Sequence, residues 1–204
     1  SRADCIAHAK GEYVQFVDSD DWLEVNMTEE MVAATNNSKI DLVGCYYIKD
    51  ILSGENTFHK ENYSYSCSEN LMQCINYDIS TVLWKMLIKR NLFSNFSITP
   101  HIDIVEDYII SVKLYFYANS FAIVDKYLYH YVQYNNKPTL IRYYDEKTYE
   151  HDLRLQKMFM ELLVDVRELY QIIDVFFTKL IIGRAFSNGF NYYSSKMFKD
   201  RFNE

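Results

Sequence analysis

The sequence predicts a mixed α/β domain in which helices flank a sheet, followed by a helical extension. Short apolar runs with strand character, at residues 13–17 and 41–48, alternate with helical patterns along the first two thirds of the chain. From about Tyr143 the period changes to 3.6 residues, and Tyr149, Leu153, Phe159, Leu162, Val166, Leu169, Ile173, Phe176 and Leu180 fall on one stripe. With 204 residues, 49% of them hydrophobic, the chain is long enough for one sizeable core and an appendage. The boundary between the two parts is placed at 140/141.

In chain order, residues 1–10 carry Ala3, Ile6 and Ala7 at helical spacing. Tyr13, Val14, Phe16 and Val17 then form a strand that ends abruptly in Asp18, Ser19, Asp20 and Asp21. In open α/β sheets the C-terminal tip of a strand is where ligands bind. Clustered carboxylate oxygens there suit a hard divalent cation, Mg or Mn. An acidic turn with Asp21 capping a helix that begins near Trp22 explains part of the same pattern. A helix follows at 29–34, and residues 41–48, DLVGCYYI, read as a strand in which Gly44 lets another part of the chain approach closely.

Residues 50–65 are polar and read as a loop or hairpin. Residues 68–77 read as a short helix capped by Ser68, with Leu71, Met72, Cys74 and Ile75 inward. The stretch 81–93, TVLWKMLIKRNLF, is apolar with Lys85, Lys89 and Arg90 inserted, the last two expected on a solvated face. A helix from about Asp107 opens with Glu106 and Asp107, which the helix dipole favours by about 0.3–1 kcal/mol. Residues 120–132 read as two strands, FAIV and YLYHYV, joined through a turn at Asp125 and Lys126. Gly183 and Gly189 break the later helical stripe, and an amphipathic tail follows with Tyr192, Tyr193, Met197, Phe198 and Phe202 against Lys196, Lys199 and Arg201. Its character is that of a helix docked on the core or lying on a membrane surface, and the apolar stripe before it suits packing or a homodimer face.

Composition removes several classes. A net charge of −7 disfavours nucleic-acid binding, which rests on phosphate neutralisation. Nineteen Tyr and thirteen Phe beside two Pro and five Gly reflect a biased composition, so aromatic richness alone is no sign of sugar stacking. Cys5, Cys45, Cys67 and Cys74 lack paired or metal-ligand spacing and read as reduced cytosolic thiols. No run reaches the length of a membrane span, and residues 1–10 have no signal-peptide character.

Ala9, Gly11, Glu12, Tyr13, Phe16, Asp18, Ser19, Asp20, Asp21 and Trp22 together resemble the acidic D-x-D segment of family 2 glycosyltransferases. Met27, Thr28, the helix 29–34 and the strand 40–44 extend the resemblance. It implies a GT-A-like mixed sheet flanked by helices, of which residues 1–140 are the C-terminal part. The nucleotide-binding half that in the family precedes the helix of residues 1–10 is missing from the sequence, which is expected to be a fragment of a longer chain and to bind nucleotide-sugar weakly or not at all by itself. The family's Arg-Asn pair falls here at Asp4 and Cys5.

The activity implied is transfer of a sugar, with inversion and with Mg or Mn, from a nucleotide-sugar donor to a hydroxyl of a saccharide or lipid-linked acceptor, in surface polysaccharide synthesis. Asp18 and Asp20 hold the metal and the donor diphosphate. Asp107 is the general base, with Glu106 as second candidate. Trp84 and Lys85 border the acceptor, and His130 is a substrate or metal ligand in some relatives, although a strand His flanked by Tyr also suits a core edge. The setting implied is cytoplasmic, at the inner face of the membrane. Two other readings share the residues: a non-catalytic remnant serving as an interaction module, and a phosphatase of the haloacid-dehalogenase type.

Overall fold

The computed structural model describes residues 2–51, 54–76, 78–96, 98, 106–133, 153–154, 156–158, 160–161 and 173–178. The chain divides into two compact units, Ser1–Lys137 and Pro138–Glu204. In the first, the elements run α1 (Arg2–His8), β1 (Tyr13–Gln15), β2 (Trp22–Leu23), α2 (Met27–Ala34), β3 (Leu42–Ile51), β4 (Thr57–His59), α3 (Cys67–Ile75), β5 (Met86–Lys89), a 3-10 turn (Arg90–Asn95), α4 (Glu106–Tyr117) and β6 (Phe121–Gln133).

Among the described residues the strands form one mixed sheet in the order β1-β5-β3-β6-β2, with β4 paired to β3. Its centre is the long parallel pair β3 and β6, which runs from Leu42 opposite Phe121 to Ile51 opposite Gln133 with register shifts at Cys45/Tyr46 and Tyr46/Tyr47. The other pairings are antiparallel. A mixed α/β fold is therefore present, as the alternation of patterns predicts.

Two strands were expected across 120–132, but β6 is continuous. Cys45 faces Val124 and the next residue, Tyr46, faces Tyr127, so Asp125 and Lys126 are taken up as a bulge. The polar pair that reads as a turn is an irregularity inside a strand. Gly44 behaves as expected, since a Cβ there would lie 3.2 Å from both Ile123 and the Phe121 ring.

The helix expected near Trp22 begins at Met27 instead, with Asn26 at its N-cap, while Trp22 and Leu23 pair with His130 and Tyr129 of β6. Helix α2 stops where Asn36, Asn37 and Ser38 take positive φ values of 51°, 56° and 63°, a conformation that ends a right-handed helix. Its Met27 and Met31 are fully buried in a core cluster with Val43, Cys45, Trp84, Leu87, Val124, Leu128 and Tyr129. Helix α3 is capped by Ser66, whose Oγ accepts from Glu69 N–H at 3.4 Å, two residues before the expected cap.

Arg90 is exposed, as expected, while Lys89 is half-buried. Lys89 Nζ donates to Ser38 O at 2.7 Å and meets Asp41 at 3.3 Å, while Arg90 Nε donates to Gly11 O at 2.6 Å. Cys5 is exposed, Cys45, Cys67 and Cys74 are buried, and all four are free thiols. Burial pushes the Cys45 thiol up to about 12 and the Cys67 thiol to about 11.

In the second unit residues 153–154, 156–158, 160–161 and 173–178 are helical, and Ile173 and Phe177 are buried. Gln156 donates to Asp174 at 2.6 Å. Tyr143, Tyr149, Phe159, Leu162, Val166, Leu169, Leu180, Gly183, Gly189 and the amphipathic tail lie outside the described residues. Among the described residues no helix is long and apolar enough to cross a membrane.

Candidate active site

The loop after β1 is fastened to β6. Asp21 N–H donates to Asp18 O at 3.2 Å and closes a turn through Ser19 and Asp20. The fully buried Tyr129 holds that turn with one hydroxyl: it accepts from Asp18 N–H at 3.2 Å and donates to Asp21 Oδ2 at 2.7 Å. Val132 N–H donates to Asp21 Oδ1 at 2.8 Å. Asp21 is therefore a strand-to-strand tie and not a helix cap. Burial raises its carboxyl above the ordinary carboxylate value, against the opposing hydrogen bonds from Val132 and Tyr129. With Asp21 consumed internally, Asp18 and the exposed Asp20 are the carboxylates left at the tip.

Glu106 and Asp107 open α4, as the sequence places them. Asp107 is raised from 3.8 to about 6, chiefly by burial. Arg2 and a hydrogen bond from the Leu83 backbone pull it down, while Asp18 and Glu106 add to the rise. Arg2 Nη1 lies 2.7 Å from Asp107 Oδ1, yet outside hydrogen-bonding geometry, so that buried oxygen has no hydrogen-bond partner. A carboxylate that ionises near pH 6 and keeps one lone-pair site open is suited to accept a proton at neutral pH.

Arg2 is the residue that sequence reasoning passed over. Its Nη1 donates to Glu106 Oε2 at 3.1 Å, its Nη2 stands 3.8 Å from Asp18 Oδ1, and its guanidinium lies 5.9 Å from the centre of the Phe16 ring. One side chain thus brings the acidic tip and the acidic helix start to a common place, although they are some ninety residues apart in the chain. The only signal in the sequence is a basic residue at the start of α1, two positions before Asp4, where the resemblance puts the family's Arg.

The remaining candidates are placed differently. Trp84 is 5% exposed and stacks on Tyr129, ring centres 4.1 Å apart at 17°, with Tyr131 at 5.9 Å on the same indole. Lys85 is 1% exposed and its ammonium is held by Glu61 and by Ser80 Oγ. His130 is buried under Trp22, rings 3.3 Å apart, with Nδ1 3.0 Å from Asp50 Oδ2 and Nε2 3.0 Å from Glu24 Oε1. The structure therefore gathers Asp18, Glu106 and Asp107 around Arg2, with Asp20 exposed in the turn beside Asp18, and sets Trp84, Lys85 and His130 in the supporting layers.

The donor set fits Mg or Mn in part. Asp18 and Asp20 offer hard carboxylate oxygens, but among the described residues no group of three or more His, Cys, Asp or Glu stands ready to hold a metal. A cation here needs oxygens from a ligand to complete its shell.

Residues 1–99 match the sequence profile described as Glycosyl transferase family 2. A curated relative is the "Putative glycosyltransferase EpsH" of Bacillus subtilis (strain 168), 27% identical over 158 residues, or 74% of this chain and 45% of the relative. Among solved structures, S. aureus TarS 1-349 in complex with UDP-GlcNAc has a TM-score of 0.61 at 19% identity, covering 98% of this chain and 56% of that one. The complex of TarS 1-349 with UDP has a TM-score of 0.58 at 20% identity, covering 98% and 55%. The chain thus spans about half the length of the proteins it matches. The first 99 residues are thus similar to family 2 glycosyltransferases, and the curled mixed sheet with its flanking helices is similar to the TarS fold.

Proposed function

We propose that this chain is the acceptor-side part of a metal-dependent, inverting glycosyltransferase that moves a sugar from a nucleotide-sugar to an acceptor hydroxyl. The observation that carries the reading is the convergence on Arg2 of the acidic tip, through Asp18, and of a buried carboxylate, Asp107, whose Oδ1 is ion-paired to Arg2 but accepts no hydrogen bond. Asp18 and Asp20 are the proposed ligands of Mg or Mn, which when bound would neutralise charge on the leaving diphosphate. Asp107 takes the proton of the attacking hydroxyl, and Glu106 beside it is the substitute base. Arg2 restrains both groups until substrate enters.

A UDP-sugar is the donor class of choice, since TarS carries UDP-GlcNAc and UDP in its crystal structures. The acceptor is a saccharide or a lipid-linked hydroxyl, and the setting surface polysaccharide synthesis on the cytoplasmic side of a membrane, as is common in the family. The roles of Trp84, Lys85 and His130 in substrate binding are part of the same proposal. Their burial directs those roles through the residues they support. Membrane attachment and a dimer face rest on the amphipathic tail and the stripe before it.

The test is calorimetry of UDP-, GDP- and TDP-sugars with and without Mn, on this chain and on one extended at its N-terminus, followed by transfer assays. Mn-dependent binding lost in Asp20→Ala, together with transfer lost but binding kept in Asp107→Ala, is the expected result. Transfer unchanged in Asp107→Ala would move the base to Glu106 or off this helix. No binding by either form would favour a non-catalytic interaction module.

A further inference from the structure

The loop between β4 and α3 carries one carboxylate that no part of the reading above uses. Glu61 accepts a hydrogen bond from Ser80 N–H at 2.8 Å through Oε1 and from the Lys85 ammonium through Oε2. Lys85 Nζ also donates to Ser80 Oγ at 2.5 Å, so the two ends of residues 80–85 are drawn onto one side chain. Burial pushes the Glu61 carboxyl up, but the Lys85 charge and the hydrogen bonds of Lys85 and Ser80 outweigh it and leave it lowered.

What lies between those ends matters to the site. Thr81 O accepts from Ser111 Oγ of α4 at 3.0 Å, Leu83 supplies the backbone hydrogen bond to Asp107, and Trp84 stacks on Tyr129. Tyr129 in turn holds the Asp18–Asp21 turn. Residues 80–85 are therefore a short bridge from the buried carboxylate of α4 to the clamp on the acidic tip. The bridge lies outside helix and strand, and its backbone is tied at Lys85 O, which accepts from Cys45 N–H at 3.1 Å, so Glu61 adds a side-chain anchor that also reaches Ser80. An ion pair buried this deeply is rigid when both partners are satisfied.

We propose that Glu61 is a positioning residue for the acid–base site: through Lys85 and Ser80 it fixes residues 80–85 so that Leu83 N–H meets Asp107 and the Trp84 ring backs Tyr129. Glu61 touches no reacting group, and its catalytic meaning rests on the function proposed above. Its mechanical meaning does not.

The experiment uses the 204-residue chain in a Trp22→Phe background, which leaves Trp84 as the single tryptophan. Glu61→Gln is compared with that background by carbon NMR titration of the Asp107 carboxyl, by near-ultraviolet dichroism of Trp84, and by transfer kinetics in the extended chain. The expected result is an Asp107 midpoint above about 6, a weakened Trp84 band and a kcat lowered by up to about a hundredfold. If Glu61→Gln does not fold, Glu61→Leu with Lys85→Met removes both charges together and is read in the same way. A folded variant whose Asp107 midpoint and Trp84 band both match the background overturns the proposal. Both spectroscopic changes in a chain family that never transfers sugar would uphold the bridge and refute the glycosyltransferase reading. Transfer with an unmoved Asp107 midpoint would do the reverse.

Discussion

Lys85 and Arg2 are both cations set among carboxylates, on opposite terms. Lys85 is 1% exposed and meets one carboxylate, Glu61, so its charge is matched and sealed inside the domain. Arg2 is 26% exposed and meets three, Asp18, Glu106 and Asp107, so the place it occupies remains negative. A balanced buried pair spends its electrostatics on holding a segment still. An unbalanced, accessible one is tolerable for folding only because water and Arg2 share the load, and it attracts whatever cation or proton can join it. The difference separates a structural ion pair from a candidate catalytic one by stoichiometry alone.

Breaking the sealed pair should have the largest effect. Lys85→Ala leaves Glu61 buried without its partner and should cost about 3–5 kcal/mol in urea unfolding. Glu61→Leu with Lys85→Met should cost far less, because no lone charge remains. Equal losses in the two variants would mean that Lys85 acts by packing.

The open site should announce itself through pH. Asp107 has an ordinary value of 3.8 and a folded value of about 6. Between those values the folded chain holds a proton that the unfolded chain has released, so stability falls as pH rises through the window. The penalty is absent below pH 3.8, complete above about 6, and amounts to about 3 kcal/mol at most. Asp107→Asn should remove that slope from a series of melts between pH 3.5 and about 7, and a slope that persists would assign it to another group.

A smaller loss is expected at the Tyr129–Asp21 clamp that links the two regions. Asp21→Ala removes the acceptor of both Tyr129 OH and Val132 N–H and should cost about 1–3 kcal/mol, more than a helix cap would. Tyr129→Phe should recover only part of that, since it loses the hydroxyl and keeps the ring under Trp84. The smallest stability change belongs to Arg2→Gln, below about 1 kcal/mol for a partly exposed ion pair. The same change should raise the Asp107 midpoint further, because Arg2 is among the causes that lower it. A midpoint that drops instead would show that Arg2 is not near Asp107 in solution.

The sequence by itself determined the elements and the ends at which chemistry could sit. A strand running toward Asp18–Asp20 (β1 stops at Gln15, and the aspartates sit in the loop after it), a helix opening with Glu106 and Asp107, and a Gly44 at a crowded strand are local patterns, because strand period, helix start and steric allowance depend on neighbours a few residues away. Tertiary structure alone decided which of those groups meet and which are consumed. Arg2 finds Glu106 across 104 positions, Tyr129 finds Asp18 across 111, and Lys85 finds Glu61 across 24. The same distance explains the errors: Asp21 reads as a cap until Tyr129 and Val132 claim both its oxygens, and Asp125–Lys126 reads as a turn until pairing with β3 carries the strand past it as a bulge. A side chain's partner is chosen by burial and by the register of strands, and neither is written in its own few residues of chain.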